Sequence, residues 1–253
     1  MTTGRTTLNN WRVYIDGYDM SGYSRSFGPL ATTFDEGIDD AVSLSVKAAL
    51  VSNAQVSMGT LNGLFDNTAT SGLHVIMKTS GVERDVMIPA GIQAAPANND
   101  PVFCGTFTQM GYQGEPDNNP VYASIPFSGA SPNSPVLMYK PWGTLLHAKA
   151  ARTAANSATG LDQLASSTKG GWMMYQVFAG DGTAALKVQH ASTNSDGSFS
   201  DLLSSGTISC SSPISGAVAL ASGTTVNRYV RWQIALGTAT TVTFAIAFIR
   251  GTI

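Results

Sequence analysis

Residues 225–250 read TVNRYVRWQIALGTATTVTFAIAFIR. Val226, Val230, Trp232, Ile234 and Leu236 recur at even spacing, and after GTAT the pattern resumes with Val242, Phe244, Ile246 and Phe248. A period of two is the mark of a half-buried strand, and small residues between two such runs predict a hairpin. Each large apolar side chain so buried contributes roughly 1.5–3 kcal/mol before entropy is counted. Arg228 falls on the apolar face, so a bulge, a paired carboxylate or a sheet edge has to accommodate it. Arg231 alternates with Tyr229 and Gln233 and is expected to face solvent or a neighbour. The stretch holds no histidine, cysteine or carboxylate. Its work is to hold a shape.

Working outward, the rest of the C-terminal half reads the same way. WMMYQVF (172–178), a turn at AGDGT, AALKVQH (184–190) and FSDLLSSGTISC (199–210) are short strand-like runs. Five to seven such strands with Gly/Ser/Asn turns predict an antiparallel, jelly-roll-like β-sandwich. Its expected core comprises Trp172, Leu186, Val188, Val230, Trp232, Phe244 and Phe248. Residues 145–156, LLHAKAARTAAN, are rich in alanine and predict one short helix or a connecting arm. GASPNSP (129–135) has linker composition. Net charge changes sign there: residues 1–135 carry six Lys/Arg against twelve Asp/Glu, and residues 136–253 carry eight against four. Two domains are expected, 1–135 and 136–253. Either the two domains simply differ in charge, or opposite faces meet, within the chain or between subunits.

The N-terminal half is also β-rich, with one or two short helices expected. Asp16-Gly17 is a strong turn signal between strand-like runs. DEGIDD (35–40) reads as an acidic loop, followed by AVSLSVKAAL, in which Val42, Leu44 and Val46 share a face if the run is a strand. Asn67 is placed to cap a short helix through TATSGLHVIMK, where Leu73, Ile76 and Met77 lie on one side. AAPANNDP (94–101) and EPDNNP (115–120) are polar connections.

Little in the sequence suggests chemistry. His74, His147 and His190 are isolated, and no nucleophile elbow, paired-histidine zinc motif or phosphate-binding loop occurs. STNSDGSFSDLL (192–203) has Asn194, Asp196 and Gly197 in calcium-loop positions but Ser192 and Leu203 where ligands belong, so it reads as a turn. Cys104 and Cys210 lie in strand-like runs, predicting two buried thiols. No metal, cofactor or enzymatic role is expected. Charged residues make up 12% of the chain, with no Lys/Arg cluster, which argues against binding DNA by counterion release. The polar start, MTTGRTTLNNW, and the shortness of every apolar run predict a protein made in the cytoplasm without membrane insertion. Trp142 is the one tryptophan that reads as an exposed candidate, or else as an anchor for the connection between the halves, and a glycan-binding module using Trp142 or loop residues such as Asn194 and Asp196 is one alternative function.

Several phrases resemble a family of tailed-bacteriophage virion proteins, the major tail or tail tube proteins: VYIDGYDMSGYSRSFGPL (13–30), QVSMGTLNGLFD (55–66), AAPANNDPVFCG (94–105), LKVQHASTNSDGSFSDLL (186–203), GTTVNRYVRWQIALG (223–237) and TFAIAFIRG (243–251). The chain departs from the family pattern by extra residues at 192–195 and by lacking an aromatic residue before its Asp-Leu pair. The resemblance implies a tail-tube-like β-sandwich or barrel followed by a sandwich that decorates the outside. It also implies self-assembly into stacked rings, hexameric or trimeric, that pass DNA, with other tail proteins such as the tape measure as partners and the phage tail as location. A capsid cement or tail-tip component is the alternative within virions. The polar loops expected between subunits contribute Asp35, Glu36, Asp39 and Asp40, then Asn98, Asn99 and Asp100, then Glu115 and Asp117.

Overall fold

The computed structural model describes residues 7–39, 48–92, 94–116, 120–132, 134–135 and 140–251, with backbone alone for 35–39, 48–54 and Asn156. The first half holds strands β1 (Tyr14–Ile15), β2 (Tyr18–Asp19), β3 (Ser24–Gly28), β4 (Ala31–Asp39), β5 (Ala48–Ser57) and β6 (Thr60–Leu64). Helix α1 (Leu73–Met77) follows, then β7 (Val82–Pro89), β8 (Pro101–Gln109), β9 (Gln113–Glu115) and β10 (Tyr122–Ala130). The second half holds β11 (Trp142–Arg152), β12 (Asn156–Ser157), β13 (Leu161–Asp162), β14 (Gly171–Gly180) and β15 (Thr183–Ala191). It ends with β16 (Ser200–Ser204), β17 (Ile208–Ser209), β18 (Ile214–Ala219), β19 (Tyr229–Leu236) and β20 (Val242–Arg250). The protein is mainly β, as expected.

The strands form two sheets. The larger has the spine β18-β14-β20-β11-β8-β10-β5-β4, and the smaller has β12-β19-β15-β16 with β13 and β17 beside it. The two runs of residues 225–250 therefore do not form a hairpin. β19 pairs with β15 in the small sheet, while β20 pairs with β11 and β14 in the large one. The strands face each other across the sandwich, and Trp232 meets Phe244 edge-on at 5.8 Å between ring centres. Alternation had identified the inward face of each strand correctly. It carried no information about which strand lies alongside.

The large sheet is buried on both faces where β14 and β20 cross it. Met173, Tyr175, Val177, Phe244, Ile246 and Phe248 pack toward the small sheet with Leu186, Val188, Val230 and Trp232. Trp172, Met174, Ala245, Ala247 and Ile249 pack the other way, against Ile15, Met87, Phe103 and Phe107 of the first half. Burial on both sides explains the near-continuous apolar run of β20. The two alanines leave room on the face that meets the bulky N-terminal core.

Residues 145–156 are not a helix or an arm. They lie largely within β11, which bonds to β20 on one side and to β8 on the other through Trp142↔Phe103 and Thr144↔Pro101. Ladder pairing and burial of Leu145, Leu146 and His147 override the alanine-rich composition. The large sheet thus continues across residue 135, and Ser131 and Ser134 are themselves buried, with the Thr106 N–H donating to Ser134 Oγ at 3.1 Å. The DEGIDD segment is strand rather than loop as far as Asp39, with Glu36 in register with Val51. Val42, Leu44 and Val46 lie outside the described residues. The expected helix shrinks to a single turn whose N-cap is Gly72, not Asn67. The segment before it is a turn in which Asp66 Oδ1 accepts the Thr68 N–H at 2.7 Å.

The Asp16-Gly17 turn fastens the two halves. Its φ values of 51° and 82° are the left-handed pair that a tight two-residue connection requires. The Gly17 N–H donates to Gln176 Oε1 of β14 at 2.5 Å, and Gln176 Nε2 donates to the Asp85 carbonyl at 3.0 Å. A Cβ on Gly17 would stand 2.5 Å from Ile214 N and 2.6 Å from Val177 O. Asp16 accepts the Asp85 N–H and pairs with Arg84 at 2.9 Å. Asp85 accepts the Thr106 and Ser215 hydroxyls. Burial nonetheless lifts its carboxyl above the usual range, and the nearby Asp16 and Glu83 charges push the same way.

Candidate assembly surface

The β4–β5 ribbon is the part of the described chain least tied to the rest. β5 joins the large sheet through one register pair, Ser57↔Gly129. From there β4 runs beside β5 from Ala31↔Ser57 to Asp39↔Ala48, with an irregularity between Phe34 and Glu36. Nine residues of strand extend roughly 30 Å. Over most of that length the two strands have only each other among the described residues, and the outer edge of β4 is unpaired. A two-stranded ribbon is marginal in water, and an open edge is a template for another strand. Phe34, 58% exposed, stands on that edge. Asp35, Glu36 and Asp39 occupy backbone positions along β4, and Asp40 lies outside the described residues.

The other expected loops lie elsewhere. Asn98, Asn99 and Asp100 are bound down onto β11. Asn98 Oδ1 accepts the Ala148 N–H at 2.8 Å, the Asn99 N–H donates to Leu145 O at 2.7 Å, and the Asp100 carbonyl accepts the Leu145 N–H at 2.9 Å. Asp100 Oδ2 also accepts the Ala97 N–H. Glu115 ends β9 opposite Tyr122, close to Arg25, whose guanidinium lies 4.6 Å from the Tyr122 ring centre. Gly129, where the ribbon departs, is at the other end of β10, roughly 23 Å away by strand rise. Asp117 is outside the described residues. The acidic and amide positions therefore occupy three separate places.

Sequence reading missed an exposed apolar strip at the end of β6. Leu64 and Phe65 are 37% and 40% exposed, and Val121 beside them 39%. The Phe65 N–H donates to Val121 O at 3.0 Å. Behind them His74 packs on Phe65 at 4.8 Å and shares a 3.1 Å hydrogen bond with the Tyr112 hydroxyl. The available signal was the pair Leu64-Phe65, two consecutive apolar residues where a strand should have alternated.

Arg228, Arg231 and His147 are held by partners within the chain. Arg228 is held by Asp162, its Nε 2.7 Å and its Nη2 2.5 Å from the two carboxylate oxygens. A paired carboxylate is thus the accommodation it finds. Arg231, expected to meet solvent or a neighbour, finds neighbours from its own chain. It is 8% exposed, donates to Gln189 Oε1 at 2.8 Å and to Asp196, and lies over the Phe199 ring. His147 is buried, with Arg152 Nε donating to its Nε2 at 3.0 Å and its Nδ1 bonded to Phe244 O at 3.1 Å. Both cysteines are free and buried, and burial pushes the Cys104 thiol far up. Among the described residues no three His, Cys, Asp or Glu side chains gather to hold a metal, and no helix is long and apolar enough to cross a membrane.

No protein-family model matches the sequence, and no curated protein matches it. Among solved structures, the Dit protein (gp 19.1) of phage SPP1, described as a paradigm of the hub adsorption apparatus in phages infecting Gram-positive hosts, aligns over 96% of this chain and 99% of its own. Identity is 9% and the TM-score 0.35. An exo-β-1,3-galactanase from Phanerochaete chrysosporium aligns over 95% of this chain and 79% of its own, with 11% identity and a TM-score of 0.20. Neither score reaches a shared fold.

Proposed function

We propose that this chain is a structural protein of a tailed-phage virion, a subunit that joins copies of itself into rings stacked as a tail tube. The observation that carries the reading is the β4–β5 ribbon, whose outer edge, with the exposed Phe34, has no strand partner among the described residues. Pairing with the sheet of a neighbouring copy satisfies that edge and repeats around a closed ring. The tail-tube-like phrases support the same reading. One of them builds the Asp16-Gly17 fastening, and others run through β15, β19 and β20. In this reading the net negative first half, like-charged with DNA, forms the tube wall.

Electron microscopy of the concentrated full chain tests the proposal, beside a variant in which residues 36–51 are replaced by a short turn. The expected result is rings or tubes from the full chain and none from the shortened one. A full chain that stays monomeric at every concentration would refute it. Counting copies per virion separates a tube from a tail-tip or hub role. A tube requires copies in proportion to tail length, whereas a hub requires a single ring or two.

A further inference from the structure

A groove crosses the surface where the 94–101 connection, β11 and residues 157–164 meet. It consists of three depressions that share walls. The first, about 480 Å³, is bounded by Lys140, Trp142, Leu164 and Arg250. The second, about 270 Å³, shares Asn99 and Leu161 with the first. The third, about 370 Å³, shares Thr159 and Arg231 with the second and reaches Asn194. Linked units laid end to end fit such a shape better than one compact molecule.

Its walls are unusual in four ways. Trp142 is 36% exposed, and its indole is set at 87° to Trp11 and 71° to Phe103, so an aromatic surface is held in place before anything binds. Leu164 is 83% exposed at φ 70°, its N–H fixed by Asp162 Oδ1 at 2.8 Å. Asn99 is held at φ 78°, and its side-chain amide has no hydrogen bond among the described residues. Strained non-glycine residues persist where their surroundings impose them, and they cluster at ligand sites. Finally, Trp232, which lines the middle depression, has a buried indole N–H without a partner among the described residues.

The charges favour an acidic occupant. Arg250 is half-buried, and four of its five N–H donors go to Gln163, Ser167 and the carbonyls of Val226 and Asn227. No carboxylate neutralises it among the described residues. Lys140 is exposed on the same rim without an ion pair there. The acids on the walls are already matched, Asp162 by Arg228 and Asp196 by Arg231. A peptide strand finds little to pair with, because β12 and β13 are two residues each. We propose that this groove binds a linear oligosaccharide carrying acidic groups, with one ring stacked on Trp142 and its anionic substituent, carboxylate or phosphate, toward Lys140 and Arg250.

Calorimetric titration of the full chain tests this, with trigalacturonic acid and a phosphorylated maltotriose as acidic probes and maltotriose as the neutral control. Saturable binding of an acidic probe is expected, and the tighter of the two identifies the acidic group. Lys140→Gln alters an exposed side chain, and Asn99→Gly removes the amide while suiting the positive φ, so both fold. Each is expected to weaken binding roughly fivefold, and Trp142→Ala roughly tenfold. The proposal is overturned if neither acidic probe binds below about 10 mM, if maltotriose binds as tightly as they do, or if all three variants bind like the parent.

Discussion

His147 sits where a charge is least welcome, and this makes the sandwich acid-sensitive in a measurable way. Its ring stacks on Phe244 at 4.2 Å and meets Trp232 edge-on at 4.4 Å. Arg152 Nε–H points at Nε2, so the neutral ring carries its proton on Nδ1, toward the Phe244 carbonyl. Protonating Nε2 would set two donors against each other inside the core. Burial is the main cause that lowers the pKa from 6.5 to about 4, the Arg152 charge adds to it, and the bond to Phe244 O opposes it. The unfolded chain takes up this proton as pH falls through 6.5, whereas the folded chain refuses it until about 4. The stability contributed is complete above 6.5 and is lost as pH falls toward 4. A difference of that size corresponds to about 3 kcal/mol. His147→Phe keeps a flat ring between Trp232 and Phe244 and removes the titration. Urea unfolding followed by tryptophan fluorescence, at intervals from pH 4 to 7.5, gives the stability of parent minus variant at each pH. Carboxylates titrate in both proteins and cancel in that difference. It is expected to rise by about 3 kcal/mol across the window and then level off. A difference flat to within about 0.5 kcal/mol would show that His147 accepts its proton in the fold, and the reasoning from burial would fail.

Three further outcomes are expected. Gly17→Ala places a Cβ against Ile214 N and Val177 O at a positive φ, and a loss of about 3 kcal/mol or more should appear as a lower urea midpoint. Asp85 has the opposite sign to His147. Its raised pKa means that its contribution is full below the ordinary carboxylate pKa and declines as pH rises through the folded value. Asp85→Asn should therefore gain on the parent as pH climbs above 4 in paired denaturation curves, and a constant offset would contradict this. Phe34→Asp changes an exposed edge residue, so monomer stability should stay within about 0.5 kcal/mol while sedimentation shows ring formation abolished.

The sequence revealed which residues turn inward better than it revealed what they meet. Trp172, Leu186, Val188, Val230, Trp232, Phe244 and Phe248 are all buried, because alternation encodes burial directly. β11 was hidden because Leu145, Leu146 and His147 are consecutive and all buried. A strand enclosed on both faces has no period to detect. For Arg231 the face was legible but its covering was not. Alternation assigned it to the outer face of β19, but Asp196, Phe199 and Gln189 close over that face, and nothing near Arg231 in the sequence announces them. The groove was equally hidden. Trp142, Asn194 and Asp196 were visible one at a time, but Asn99 and Arg231 join them only through the fold.

The meeting of the two halves shows why charge and composition were weak guides to organisation. The sign of the net charge changes near residue 135, which left open whether two domains merely differ or opposite faces meet, within the chain or between subunits. Within the chain, Ala245 and Ala247 share one buried apolar cluster with Phe103 and Phe107, and the Gly17 N–H bonds to Gln176. Removing this apolar surface from water stabilises the contact at any ionic strength, whereas attraction between exposed charges weakens within about 10 Å in ordinary salt. The charge asymmetry is thus left for the outer surface. There, on the proposed assembly, it would act between subunits alongside the open edge of the β4–β5 ribbon.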